Sequence, residues 1–586
     1  MYNLIGSGKP QWTVLRHNGP MFPPPYEPHG IPVLLNGVKI NLSPEVEEYV
    51  TIFSRYIDSP YMENQIFIKN FSNDFKNILP PQLKNYKLEE FDFTLIKNHI
   101  KEKSEKLKNL SKEEKEKIKA KNDELDEPFK TCIIDGGQQK VGNFKIEPPG
   151  IYLGRGKHPK SGKIKRRIYP NDVTINLDKQ APTPVPFHST TDEKLNKWGK
   201  IIHDRSVIWL ASWKDTITGK RKYIFTSMDS IFKSKSDLSK FDLAKKLKRK
   251  VNSIRKSYET DLESRDVRKK QLATALYFID KLALRVGGAK DKKEEADTVG
   301  VTSLRIEHIN LLPENVVKLD FLAKDSIRYC QKIRVIPIVY NNLEMFTKKN
   351  YESDSESDTE TDSQSESDSE SESETESDSE SSNDRYNKKQ KLFDLISANS
   401  LNQYLETFMK GLTAKVWRTF NASYLFQKEL DKVNLEKMSF VNDNEKTNYL
   451  QLMFNQANSA VAILCNHQKN VSSDIDKKIN QIDEKIKELQ KKKRKIQDKK
   501  GRTSGKETKG DKINKINNKI KLLKLKKNSK SASKNVSLGT SKLNYIDPRI
   551  VISFSKKFEI PLEKLFSKTE INRFEWAKNV DKNYRF

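Results

Sequence analysis

The spacing of apolar residues changes several times along this 586-residue chain, and each change predicts a different kind of structure. Residues 44–130 predict helices with charged faces. Within them, Ser111 followed three residues later by a glutamate has the capping-box pattern of a helix start. Residues 131–230 predict a mixed α/β region, because the β-branched and aromatic runs at 208–213 and 222–225 are typical of a hairpin.

A helical pattern follows over residues 240–286. Apolar residues recur there at helical spacing, at Leu272, Leu276, Ile279 and Leu282. The glycine pair after Val286 predicts the end of this helix. We therefore expect Arg285 in its last turn, on a rigid support.

Residues 315–337 alternate between apolar and polar positions, which predicts a β-hairpin. Three apolar residues share one face of the first strand: Val317, Leu319 and Phe321. The alternation resumes around Ile327 and Tyr329, so Lys324 is expected at the hairpin tip. Residues 392–467 return to a helical pattern.

Residues 469–530 hold 23 Lys or Arg against 8 Asp or Glu, a net charge of +15. Two narrow apolar seams with steps of three and four residues run through them: Ile475, Ile479, Ile482, Ile486 and Leu489, then Ile513, Ile516, Ile520 and Leu523. A glycine-bearing segment at 501–505 separates the seams. This pattern predicts an antiparallel coiled-coil hairpin that returns the chain close to where it left.

The charge of the chain is unevenly distributed. Residues 352–384 alternate Ser or Thr with fifteen Asp or Glu and contain no Lys or Arg, so we expect disorder there and a candidate target for a protein kinase. Because the whole chain carries +29, the residues outside this tract carry +44. Such a surplus favours a polyanion as partner, although charge alone also fits a ribosome-associated or merely soluble basic protein.

Cysteine usage and hydropathy indicate the compartment. Cys132, Cys330 and Cys465 are widely spaced and suggest neither a disulfide framework nor a zinc site, which favours a reducing compartment. We find no apolar run of about 18 residues and no secretory signal, so we expect an intracellular protein with no membrane partner. The basic cluster at 491–495 is a candidate nuclear import signal or, equally, a solvated helix face.

Four segments with cationic side chains precede a late tyrosine. They contain Arg285, Lys324, Arg418 and His467, and the tyrosine is Tyr545. A tyrosine hydroxyl, with an ordinary pKa of about 10, is a poor nucleophile alone. Cations that stabilise the charge developing on phosphorus allow it to attack a phosphodiester without a metal or cofactor. Taken singly, each residue has an ordinary structural role, and only the set of five indicates catalysis.

The residues suggest a division of roles within that set. The guanidinium groups of Arg285 and Arg418 are suited to bind the non-bridging phosphate oxygens, and His467 offers them one more hydrogen bond. Lys324 is expected to protonate the leaving 5′-oxygen. No cluster of carboxylates suggests a magnesium site.

The wording of these segments closely resembles that of the eukaryotic type IB DNA topoisomerases. The matching motifs are IEPPG at 146–150, GRGKHP at 154–159, KLALR at 281–285, ADTVG at 296–300, TAKVWRTFN at 413–421, AILCNHQ at 462–468 and SKLNY at 541–545. The resemblance covers about 9–349, 385–467 and 535–586. It implies ATP- and metal-independent relaxation of positive and negative supercoils through a 3′-phosphotyrosyl intermediate.

The resemblance also implies an architecture, an α+β multidomain protein that clamps duplex DNA. Residues 1–230 would form the clamp and cap region, with a mixed α/β cap subdomain at about 25–112. Residues 231–467 would form a mainly α-helical catalytic core of the tyrosine recombinase and type IB topoisomerase class. A basic coiled-coil linker at 468–534 and a small helical C-terminal domain at 535–586 would follow.

By resemblance, Tyr545, Arg285, Lys324, Arg418 and His467 form the active site. Eight further residues match positions that contact or lie close to DNA in the family: Arg155, Trp209, Lys222, Tyr223, Lys240, Thr298, Lys415 and Asn544. Gly288 stands where relatives usually have Asn, so one DNA contact is expected to be missing. The resemblance implies a monomeric nuclear enzyme.

Two alternatives remain open. A tyrosine site-specific recombinase uses a similar Arg-Lys-Arg-His-Tyr set, but the lysine-rich hairpin between His467 and Tyr545 argues against it. A non-catalytic DNA-binding or chromatin scaffold protein also fits the charge, but every expected active-site residue type is present.

Overall fold

The structure is a computed structural model that describes residues 9–187, 196–288, 295–348, 390–436, 440, 442–469, 474–498 and 508–586. The acidic tract at 352–384 and the segment at 501–505 lie outside the described residues, so the predictions about them stay predictions. The described residues form a mixed α/β protein with two compact units. The first takes its residues from Met1–Leu238, Lys290–Asp297 and Asn572–Trp576, and the second from Ser239–Ala289, Thr298–Ile571 and Ala577–Phe586. Within the described parts, none of the helices is long and apolar enough to cross a membrane.

The first unit has helices where charged helices are predicted. They are α1 (Pro44–Ser54), α2 (Gln65–Ile78), α3 (Thr94–Asn109) and α4 (Lys112–Asp126). The capping box is confirmed, since the Ser111 side chain accepts from the Glu114 amide and the Glu114 carboxylate accepts from the Ser111 amide. Phenylalanines dominate the core against which α1 and α2 pack, and the rings of Phe53 and Phe71 stack with centroids 3.9 Å apart.

Short strands complete the first unit. They are β1 (Leu15–His17), β2 (Val33–Leu35), β3 (Val38–Ile40), β4 (Phe91–Asp92), β5 (Thr131–Ile134), β6 (Gly137–Lys140), β7 (Gly150–Ile151), β8 (Ile164–Lys165), β9 (Val173–Asn176), β10 (Lys200–Ile202), β11 (Trp209–Lys214) and β12 (Arg221–Phe225). The largest sheet has the order β10-β9-β11-β12. Its β11 and β12 pair antiparallel, which confirms the predicted hairpin.

Helices make up most of the second unit. They are α5 (Ile231–Asp261, which begins in the first unit), α6 (Val267–Leu282), α7 (Pro337–Lys348), α8 (Ala398–Phe408), α9 (Ala414–Leu430) and α10 (Asp443–Leu464). The prediction that Arg285 lies in the last helical turn is wrong. Helix α6 ends at Leu282, because Ala283 takes the left-handed conformation (φ 48°, ψ 35°) that terminates a helix. Arg285 therefore lies in the loop beyond it.

The hairpin predicted around Lys324 is confirmed. Strand β14 (Val316–Ala323) pairs antiparallel with β15 (Ile327–Arg334), and a tight turn at Lys324–Ser326 joins them. A third strand, β13 (Ile309–Leu312), extends the sheet along the other edge of β14. The inward residues Val317 and Leu319 are fully buried, so the sheet holds the turn firmly.

Two long basic helices follow, α11 (Asp474–Asp498) and α12 (Lys509–Ala532). Ile482 and Ile486 of α11 pack with Ile520 of α12. The helices run antiparallel, because Lys527 in the last turns of α12 pairs with Asp483 of α11. Lys534, just beyond the end of α12, pairs with Asp476, which lies further back in α11. The chain then continues through α13 (Leu538–Asn544), α14 (Pro548–Phe558) and α15 (Lys568–Arg573).

Candidate active site

Tyr545 occupies the first position after α13, and its backbone is held from two sides. The amides of Tyr545 and Ile546 both donate to the carbonyl oxygen of Ser541, each at 3.0 Å. The Tyr545 carbonyl accepts from the hydroxyl of Ser423 on α9 at 2.9 Å, and this hydroxyl also accepts from the Asp547 amide. The start of α14 therefore fixes the tyrosine against α9.

Arg418 and His467 both lie against the ring of Tyr545. Arg418 is 3% exposed, and its guanidinium carbon lies 4.8 Å from the centroid of the Tyr545 ring. It donates to the carbonyl oxygen of Cys465 at 3.2 Å. His467 is 4% exposed, and its ring stacks on that of Tyr545 with centroids 5.3 Å apart.

Arg285 brings a third side chain to the tyrosine, since it lies close enough to interact electrostatically with the Tyr545 side chain. Burial lowers the pKa of Arg285, and the nearby charge of Arg418 lowers it further. The loop that carries Arg285 is held by the Val301 amide, which donates to the Arg285 carbonyl at 2.9 Å. Gly287 has φ +80° and packs directly on the backbone of Gly300, where neither position has room for a Cβ.

Lys324 is exposed at its hairpin tip and lies close enough to act electrostatically on the site. The pKa of His467 is lowered to about 3, mainly by burial and further by the positive charges of Arg418, Arg285 and Lys324. His467 is therefore neutral at physiological pH. All five predicted catalytic residues thus come together within the second unit.

A buried carboxylate ties α6 to α9 behind the site. Asp280 accepts hydrogen bonds from Arg255, from the hydroxyl of Tyr258 and from the indole of Trp417, which precedes Arg418. Burial would raise the pKa of Asp280, but its bonds to Arg255 and Tyr258 hold that pKa below its usual range. This network fixes the helix bearing Arg418 against the helix that leads to Arg285.

Four of the eight predicted DNA-binding residues belong to the second unit: Lys240, Asn544, Lys415 and Thr298. Lys240 on α5 donates to the backbone carbonyl of Asn544 at 3.1 Å, beside Tyr545. Lys415 is exposed in the first turn of α9, three residues before Arg418. Thr298, by contrast, is buried, next to the Val299 amide that donates to the Leu322 carbonyl of β14.

The other four predicted DNA-binding residues belong to the first unit. Trp209 and Tyr223 face each other across β11 and β12 with ring centroids 5.7 Å apart, and Trp209 is buried. Lys222 lies 2.5 Å from a carboxylate oxygen of Glu147 and 2.7 Å from one of Asp215. Burial lowers the pKa of Lys222, but these two hydrogen bonds more than compensate, so the pKa is raised overall. Arg155 is exposed in a turn between two glycines with positive φ.

Sequence reasoning missed the residues that support the five. The hydroxyl of Ser541 shares a 2.7 Å hydrogen bond with Nδ1 of His467. Ser423 holds the backbone of Tyr545, and Asp280 links the helices behind the site. Only Ser541 carried a usable signal, because it stands four residues before Tyr545, one helical turn away. The roles of Ser423 and Asp280 depend on contacts with distant parts of the chain.

The arrangement can bind an anion at the tyrosine. Among the described residues, Nε of Arg418 and Nε2 of His467 are buried and have no hydrogen-bond partner. Both nitrogen atoms lie on side chains that contact the Tyr545 ring. A tyrosine flanked by two guanidinium groups and an imidazole is the arrangement expected of enzymes that transfer a phosphodiester to tyrosine.

Comparison with known proteins defines the family. The model of the eukaryotic DNA topoisomerase I DNA-binding fragment matches residues 10–226, that of the catalytic core matches 229–364 and 373–500, and that of the C-terminal topoisomerase domain matches 517–586. DNA topoisomerase 1 of Homo sapiens and that of Rattus norvegicus are each 38% identical over 601 residues, which cover 98% of this chain and 72% of the relative. DNA topoisomerase 1 of Caenorhabditis elegans is 39% identical over 600 residues, which cover 98% of this chain and 68% of the relative. The chain belongs to the eukaryotic DNA topoisomerase I family.

Proposed function

We propose that this member of the family is a type IB DNA topoisomerase that relaxes positive and negative supercoils by transient single-strand cleavage. The observation that carries the proposal is the set of side chains around Tyr545, with which Arg285 interacts electrostatically and against whose ring Arg418 and His467 lie. The family match favours this function over a tyrosine site-specific recombinase and over a non-catalytic scaffold protein.

In the proposed reaction, the Tyr545 oxygen attacks the scissile phosphorus and loses its proton to solvent. The bond from phosphorus to the 5′-oxygen breaks, and Lys324 gives that oxygen a proton, which leaves a 3′-phosphotyrosyl bond and a free 5′-hydroxyl. Arg285 and Arg418 neutralise the charge that develops on the non-bridging oxygens, and His467 donates a hydrogen bond to one of them. Rotation about the intact strand relaxes the DNA before the reverse reaction reseals it.

The domain arrangement is part of the proposal. Residues 1–230 form the clamp and cap region, 231–467 the catalytic core, 468–534 a coiled-coil linker and 535–586 the domain that carries Tyr545. The antiparallel packing of α11 on α12 supports the linker, because it brings the chain back near its point of departure. Indeed, the Ser537 amide donates to the His467 carbonyl.

Duplex DNA is the partner, and the residues proposed to contact it differ in their present surroundings. Arg155 and Lys415 are exposed, and Tyr223 is half-buried on β12. Lys240 and Asn544 adjoin the tyrosine, where a strand held for cleavage would lie.

For Lys222, a phosphate must compete with Glu147 and Asp215, so its contribution to DNA affinity is expected to be smaller than that of exposed Lys415. Trp209 and Thr298 are buried, so we expect them to shape the surface rather than to bind phosphates directly.

We further propose that the enzyme is nuclear and monomeric, as the relatives suggest a nuclear enzyme. The cluster at 491–495 is mostly exposed on α11, as an import signal requires. The serines of the acidic tract are the proposed kinase targets.

The decisive experiment is relaxation of negatively and positively supercoiled plasmids in EDTA without ATP. We expect both substrates to relax, because side-chain cations stabilise the transition state and the phosphotyrosyl bond conserves the energy of the broken one. Tyr545→Phe serves as the matched control and should be inactive on both plasmids. Strict dependence on magnesium or ATP, or relaxation of one sign only, would contradict the proposal.

A further inference from the structure

The site contains a polar contact that the proposed reaction does not use. Nδ1 of His467 lies 2.7 Å from the hydroxyl oxygen of Ser541, and both residues are buried, with Ser541 fully inaccessible. The other ring nitrogen, Nε2, is also buried and has no partner among the described residues. A neutral imidazole carries one N–H, so the position of that proton decides what each nitrogen can do.

The neutral state of the ring follows from its surroundings. The ring is buried, and the charges of Arg418, Arg285 and Lys324 oppose a further positive charge, so its pKa falls to about 3. A neutral ring can donate from Nε2 only if Nδ1 is an acceptor. If the proton were on Nδ1 instead, the lone pair of Nε2 would face any anion bound there and repel it.

The Ser541 hydroxyl can satisfy this requirement because it has one hydrogen to give. It has no other hydrogen-bond partner within the described residues, and the carbonyl of Ser537, the usual acceptor one helical turn back, does not bond to it. If Nδ1 carried the proton, the serine hydrogen would be buried without an acceptor. Donation from Ser541 to Nδ1 leaves neither group unsatisfied on this side of the ring.

We propose that Ser541 is a positioning residue that donates its hydroxyl hydrogen to Nδ1 of His467 and thereby holds the neutral imidazole as the Nε2–H tautomer. The functional consequence rests on the proposed role of His467 in binding a non-bridging phosphate oxygen. The same serine also positions the tyrosine, because its carbonyl accepts from the Tyr545 and Ile546 amides. One helical residue thus sets both the donor direction of the histidine and the place of the tyrosine.

The tautomer itself can be measured without any activity. In the full-length protein labelled with ¹⁵N-histidine, the two ring nitrogens have different chemical shifts and different couplings to the ring hydrogens, so the protonated one is identified. The signals of His467 are assigned by their loss in His467→Gln. We expect a protonated Nε2 and an unprotonated Nδ1 in the wild type at pH 7. If the spectrum of the wild type instead shows the proton on Nδ1 of His467, the proposal is wrong.

Substitution then links the tautomer to cleavage. Ser541→Ala should give a mixture of tautomers and slow single-turnover cleavage on the order of tenfold, because outer partners that orient a reacting imidazole have effects of this size. Ser541→Thr keeps the hydroxyl and should restore the wild-type tautomer and most of the rate. Ser459→Ala removes a buried helical hydroxyl of α10 that bonds to the Asn455 carbonyl, and it should change neither measurement.

The outcomes separate this inference from the proposed function. Thermal unfolding of each variant shows that it is folded before its rate is compared. An Ser541→Ala variant with an unchanged tautomer and an unchanged cleavage rate would refute the positioning role. If the tautomer is as expected but His467→Gln cleaves like the wild type, the role of His467 in the reaction fails, while the assignment of the tautomer to Ser541 stands.

Discussion

The imidazole ring of His467 lies on the phenol ring of Tyr545, with centroids 5.3 Å apart and an angle of 30° between the planes. The guanidinium of Arg418 also lies near the Tyr545 ring. Packing of the ring therefore does not require the hydroxyl, which remains available for the proposed reaction. This separation makes the hydroxyl testable on its own.

Tyr545→Phe should abolish the covalent protein–DNA adduct and leave the dissociation constant for duplex DNA within about twofold, since substitutions that preserve packing change free energies little. The measurement is denaturation of a cleavage reaction, followed by gel analysis and a binding titration. In the wild type, protein should remain on the 3′ end of the nick, with a free 5′-hydroxyl. An adduct formed by the Phe variant would mean that another residue is the nucleophile.

Lys324→Ala should slow single-turnover cleavage by about 10²- to 10⁴-fold, the usual contribution of a general acid. The loss should be much smaller on DNA whose scissile 5′-oxygen is replaced by sulfur, because a thiolate leaves without a proton. The exposed Lys415→Ala, which lacks a role in proton transfer, should affect both substrates alike. If the Lys324 variant is slowed equally on both substrates, Lys324 is not the acid.

The free energy of unfolding should decrease as the pH is lowered, and protonation of His467 should account for part of this decrease. Its pKa is about 3 in the fold and about 6.5 when unfolded, so the unfolded chain binds a proton that the folded protein excludes between these values. This contribution to stability is fully present above pH 6.5 and is lost as the pH falls toward 3. Between pH 6.5 and 4.5 the loss is about 2 kcal/mol.

Chemical denaturation of the wild type and of His467→Gln at several pH values measures this effect. The variant should lose less stability over the same range, and the difference between the two proteins isolates His467 from the other titrating groups, including His17, whose pKa burial lowers to about 4. Parallel curves for the two proteins would contradict a buried neutral histidine.

Gly287→Ala should destabilise the protein by about 2–4 kcal/mol, through a strained left-handed backbone and a clash of its Cβ with Gly300. That Cβ would lie 2.7 Å from the Gly300 Cα. Because this contact holds the loop of Arg285, we also expect slower cleavage. Gly288→Ala is the matched control, since a Cβ there meets nothing within 4 Å. If the two variants are equally stable and equally active, the close contact between Gly287 and Gly300 is not what holds the loop of Arg285.

Deletion of the acidic tract at 352–384 should tighten DNA binding, most clearly at low salt, because fifteen carboxylates no longer compete with DNA for a +44 surface. Cleavage by enzyme already bound to DNA should stay the same. A Gly/Ser segment of equal length in place of the tract controls for spacing and should behave like the deletion. An affinity that is unchanged at every salt concentration would show that the tract does not compete with DNA.

The sequence alone determined the type and order of most elements. Alternation at Val317, Leu319 and Phe321 was enough to place Lys324 at a hairpin tip, since the side-chain period of a strand is a local property. The seams of α11 and α12 were likewise visible, because apolar residues three and four apart share one helix face. The five candidate catalytic residues were found by their order and by the resemblance of their segments.

Tertiary structure decided how those residues are held. The end of α6 at Leu282 was not predictable from its apolar spacing, because Ala283 takes a left-handed conformation and the loop beyond it is fixed by Gly300 and Val301. Arg285 thus belongs to a loop rather than to a helical turn. The contact of Ser541 with His467 joins residues 74 positions apart. Local patterns specify which face of an element is buried, but they do not specify which distant side chain meets it, and that meeting sets the protonation state and hydrogen bonding of the site.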